Sequence, residues 1–62
     1  MRNEIKKRID TATLDLDNDT VIQRKDKVVL RLILQTANEL VRNGKLDKAG
    51  YMLYVYDKIK EE

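Results

Sequence analysis

The 62-residue chain contains no cysteine, no histidine and no serine. The first two absences remove disulfides, thiolate chemistry and the usual zinc sites. All three together remove the familiar nucleophile–base pairs of covalent catalysis. Proline, phenylalanine and tryptophan are missing too, and glycine occurs only twice. No glycine-rich loop is left to cradle a phosphate, and little interrupts a long helix. Carboxylates are plentiful, but acid–base catalysis needs them desolvated in a cleft, and three helices offer no obvious cleft. The expectation is a protein that is not an enzyme and takes no cofactor and no metal.

Charge of one sign is also lacking. Charged residues make up 39% of the chain, yet the formal net charge is only +2. A strongly electropositive nucleic-acid binder usually shows a larger imbalance. No apolar run approaches the roughly 18 residues of a membrane span, and no secretory signal pattern opens the sequence. The expected setting is cytoplasmic, with the composition of a small bacterial or phage accessory protein. Residues 1–62 make one small domain. A monomer of this size buries only about 60% of its unfolded surface. With disulfides and metals excluded, association with another chain is the support that remains.

What is present is helical patterning, centred on Thr20–Arg42. At about 100° per residue, Ile22, Val29, Ile33, Ala37 and Leu40 fall close to one line. Leu30, Leu34 and Val41 widen that line on one side, and Val21, Val28 and Leu32 on the other. The result is broader than one neighbouring helix would need. Opposite it runs a basic or amide stripe of Arg24, Lys27, Arg31, Gln35, Asn38 and Arg42. A strand over VVLRLIL is excluded by length, because the 3.6-residue period persists for about five turns. Asp19 or Thr20 is the expected N-cap, with Thr20 and Gln23 at capping-box spacing. Asn43-Gly44 is the expected left-handed stop.

Before this helix, Met1, Ile5, Ile9, Ala12 and Leu16 form a narrower helical seam, placing a first helix over about Asn3–Leu16. The run Asp15-Leu16-Asp17-Asn18-Asp19 resembles the start of a calcium loop. Thr20 stands where such a loop needs glycine, however, and Asp26 where it needs a bidentate Glu. An acidic turn is the simpler expectation. Asp26 itself projects on the apolar side of the central helix, and its expected place is a solvated first turn near the positive dipole end.

After Gly44 a third helix is expected, with Asp47 as N-cap and Leu46 stapled against Tyr51. Met52, Val55 and Ile59 form its stripe, Tyr51 and Tyr54 an adjoining face, and Leu53 and Tyr56 point elsewhere. Tyr51–Tyr56 is therefore apolar nearly all round, which one neighbouring helix cannot cover. A strand over the same run is the alternative, since Tyr and Val favour sheets.

Together these observations predict an all-α fold of three helices, the central one long, in a hairpin-like unit completed by self-association. The expected function is a small non-enzymatic helical protein that forms a homo-oligomer, a dimer as first expectation, and binds a protein partner as inhibitor, adaptor or assembly factor. Its candidate interface is Tyr51, Met52, Leu53, Tyr54 and Tyr56, since tyrosine is enriched where an apolar ring and a polar hydroxyl are both needed. The alternative is a nucleic-acid-binding regulator using Arg24, Lys27, Arg31 and Arg42 as a phosphate-facing stripe. That stripe lacks interleaved aromatics, and the third helix is too apolar to read bases in a helix-turn-helix.

Overall fold

A computed structural model describes residues 2–61, the side chain of Arg2 apart. It consists of α1 (Arg2–Asn18), α2 (Arg24–Arg42) and α3 (Leu46–Glu61), with no strand among the described residues. The Tyr51–Tyr56 run is helical throughout. Connections this short make successive helices antiparallel neighbours. Lys6 of α1 accordingly meets Asn38 of α2, while Asp17 meets Arg31. The bundle is elongated, 32 × 16 × 16 Å, as the long central helix requires.

In α1 the seam behaves as its spacing demands. Ile9 and Leu16 are buried, and Ile5 and Ala12 pack beside them. Met1 lies outside the described residues. Thr13, a weak helix former, returns its hydroxyl to the Ile9 carbonyl at 2.8 Å, a local bond that lets threonine sit inside a helix. The helix runs two residues beyond the expected Leu16, so Asp17 and Asn18 belong to it rather than to a turn.

The start of α2 departs further from expectation. Thr20–Ile22 do not join the helix, and Gln23 precedes it in extended conformation, φ −64° and ψ 150°, with no side-chain cap. The reason lies in Asp19. Its carboxylate accepts the N–H of Val21 at 2.8 Å and of Ile22 at 3.2 Å, folding the chain into an Asx-type turn instead of a capping box. Ile22 then packs on the core from the turn.

The end of α2 follows the sequence closely. Gly44 has φ +77°. The Gly44 N–H donates to the Val41 carbonyl at 3.0 Å and the Lys45 N–H to that of Leu40 at 2.8 Å. This is the paired pattern that satisfies the last helical carbonyls through one left-handed residue. With Lys45 so held, α3 begins at Leu46, and Asp47 sits in its first turn rather than capping it. There it still favours the positive dipole end.

The core comprises Ile9, Leu16, Leu30, Leu34, Ala37, Val41, Ala49, Leu53 and Tyr56. On α2 the buried line is Leu30–Leu34–Ala37–Val41, so the helix is rotated away from the expected Ile22–Val29–Ile33 axis. Ile33 and Leu40 become flanks, and Val29 is exposed. On α3 the inward line is Ala49–Leu53–Tyr56, with Met52 and Ile59 as flanks and Val55 partly exposed. The Tyr56 hydroxyl donates to the Ala12 carbonyl at 3.5 Å, a long bond that keeps the buried phenol in polar contact. Each fully buried large side chain contributes about 1.5–3 kcal/mol. Because α2 lies between two neighbours while α1 and α3 meet least, α2 is the element on which the other two are positioned.

Candidate functional site

The five residues of the expected α3 interface separate into two groups. Leu53 and Tyr56 are buried in the chain's own core, and Met52 flanks it half-buried. Tyr51 and Tyr54 remain 64% and 56% exposed. They lie on the side of α3 opposite Ala49 and Tyr56, where helical spacing puts positions two and five residues past Ala49. Their rings stack with centroids 6.2 Å apart at 27°, and the Lys58 ammonium sits 5.5 Å from the Tyr54 ring centre. This is an exposed aromatic ridge with a cation at one end. Leu46 opens α3 itself and Tyr51 is exposed, so the geometry expected for a Leu46–Tyr51 staple does not arise.

A second exposed apolar ridge runs along α2. Val28, Val29 and Leu32 are 54%, 47% and 57% exposed. The surplus breadth of the sequence's apolar face pointed to Val28 and Leu32. Val29 was expected on the buried line and is exposed instead, because α2 turns Leu30, Leu34, Ala37 and Val41 inward. Lys25, Thr36 and Glu39 continue the same outer ridge, all exposed. Leu14 of α1 is a further exposed apolar residue that the seam pattern did not single out.

The basic stripe faces α1 rather than open solvent alone. The Arg31 guanidinium donates to the Asp17 carboxylate. Lys27 Nζ donates to the Asp19 carbonyl at 2.9 Å. Arg42 pairs with Glu39 of its own helix at 3.7 Å, and Arg24 is exposed with no ion pair among the described residues. The electrostatic cause is the unusual C-terminus of α1. Its last turn has no basic residue and carries Asp15 and Asp17 at the negative dipole end, an unfavourable arrangement. Cations from α2 compensate it. The Asp19 carboxyl is held below its ordinary value, first by the Val21 and Ile22 N–H groups it accepts, with smaller contributions from the Lys60 and Lys27 charges.

Asp15, Asp17 and Asp19 do not form a calcium loop, since the first two lie on α1. Among the described residues no group of acidic side chains is placed to hold a metal ion. Asp26 is exposed in the first turn of α2, the solvated position expected from sequence. No described helix is long and apolar enough to cross a membrane. Comparison with protein-family models, with curated proteins and with solved structures yields no match to this chain.

Proposed function

We propose that this is a small non-enzymatic helical protein that self-associates and binds a protein partner, acting as an inhibitor, adaptor or assembly factor. The observation that carries the reading is the pair of uncovered apolar ridges: Val28, Val29 and Leu32 on α2, and Tyr51 with Tyr54 on α3. Neither has a role in the chain's own core.

Support for a nucleic-acid role is weaker, because Arg31 already engages Asp17 at the end of α1 and Lys27 the Asp19 carbonyl just beyond it. The deciding experiment is absolute molar mass by light scattering across a dilution series, with duplex DNA titrated at low salt alongside. A mass that rises with concentration to a multiple of 7.3 kDa is expected. A constant monomer mass at every concentration refutes self-association. Salt-sensitive DNA binding, lost when Arg24, Lys27 and Arg31 are reversed to Glu with helicity intact, would replace the proposed role.

A further inference from the structure

The outer ridge of α2 has a polarity along its length. Reading from the N-terminus it carries Lys25, Val28 and Val29, Leu32, Thr36 and Glu39, each exposed. Lys25, Val28, Leu32, Thr36 and Glu39 are spaced three, four, four and three residues apart, so they share one helical face in an order symmetric about Leu32. Lys25 and Glu39 stand seven residues either side of Leu32. At 1.5 Å per residue each is about 10 Å from it along the axis.

From this we infer that the ridge is a self-complementary seam for a second copy of the chain, with the two α2 helices antiparallel and a two-fold axis at Leu32. This rests on the self-association proposed above and specifies its geometry. A two-fold axis there sets Leu32 against Leu32 of the second copy, Val28 against Thr36, and Lys25 against Glu39. The Lys25–Glu39 contact occurs twice, once at each end. Parallel, in-register pairing sets lysine on lysine and glutamate on glutamate, and like charges in contact disfavour it. The charges therefore choose the orientation while the apolar centre supplies the attraction.

The groups concerned are free to take these partners. Lys25 has no ion pair among the described residues, and Glu39 is engaged only by Arg42 in an exposed pair of the kind worth little. The outward side of α2 is also clear of α1, which contacts the other flank through Asn38 and Arg31. Thr36 and the aliphatic stems of Lys25 and Glu39 extend the apolar centre along the helix.

Charge reversal tests the inference. Sedimentation equilibrium is measured for the unmodified chain, Lys25→Glu, Glu39→Lys and the double variant, with helicity followed by circular dichroism. The unmodified chain is expected to dimerise. Each single reversal, which creates two like-charge contacts, is expected to weaken dimerisation about tenfold at low salt. The double variant should recover to within a few-fold, and the differences should shrink at high salt. A monomer in every case overturns both the self-association and the seam. A dimer indifferent to the single reversals overturns the seam alone, and so does a dimer weakened by them but not rescued by the double variant. Should a reversal disturb folding, Leu32→Cys provides an independent readout. The chain has no other cysteine, so oxidation should link two copies through position 32, and failure to cross-link a demonstrated dimer rejects the axis.

Discussion

Leu30 and Leu32 are two residues apart on α2 and chemically identical, yet Leu30 is 1% exposed and Leu32 is 57% exposed. Replacing each by alanine therefore asks whether the helix is rotated as described. Leu30→Ala removes a fully packed side chain and leaves a cavity, which costs about 3–5 kcal/mol. A chain of this length has a total stability of about 3–9 kcal/mol, so this variant should be largely unfolded at moderate temperature. Leu32→Ala removes a side chain that contacts mostly solvent in the single chain, and alanine is the better helix former. Its effect on the isolated chain should stay within about 0.5 kcal/mol. Urea unfolding followed by circular dichroism, at a concentration low enough for monomer and again at high concentration, separates the contributions. Leu30→Ala should shift the midpoint strongly at both. Leu32→Ala should shift it only at high concentration, where an interface would be lost. Equal losses for the two variants in the monomer would refute the packing register of α2.

The two glycines should respond with opposite sign. Gly44 is held at φ +77° with nothing near an added Cβ, so Gly44→Ala should cost about 1–2 kcal/mol from backbone strain alone. Gly50 lies inside α3, also with open space at its Cβ position, and Gly50→Ala should gain about 0.5–1 kcal/mol. Thermal melts would show both, since 1 kcal/mol moves the midpoint of a domain this small by about 4–8 °C; a stabilising Gly44→Ala would contradict the left-handed stop. At Asp19 the folded-state pKa is lowered, chiefly by the Val21 and Ile22 N–H groups. Its contribution to stability is therefore present above the ordinary carboxylate range and is lost as the pH falls through the lowered value. Asp19→Asn, which keeps an acceptor oxygen, should flatten that acid limb. Asp19→Ala should lower stability across the whole range, and an unchanged acid limb in both variants would remove Asp19 from the turn's energetics.

Much of the architecture was decided locally. The three helices follow from 3.6-residue periodicity, from the absence of proline and from the scarcity of glycine. The stop after Arg42 follows from one glycine able to take positive φ, and the two hydrogen bonds around Gly44 are what that residue permits. Asp26 in a solvated first turn, and the α1 seam of Ile5, Ile9, Ala12 and Leu16, were legible for the same reason: each depends on its own helix alone.

Tertiary structure decided the rest. The apolar surface of α2 spans more than half its circumference, so periodicity alone could not say which part would be covered. That depended on where α1 and α3 lie around it, and their arrangement buried Leu30, Leu34 and Val41 while leaving Val28, Val29 and Leu32 outside. The same competition turned Leu53 and Tyr56 into core and left Tyr51 and Tyr54 as a ridge. It also gave the basic stripe a structural role, because the acidic end of α1 came to rest beside Arg31 and Lys27. A residue's angle on its helix is a property of sequence. Whether that angle meets a neighbour or water is a property of the whole bundle.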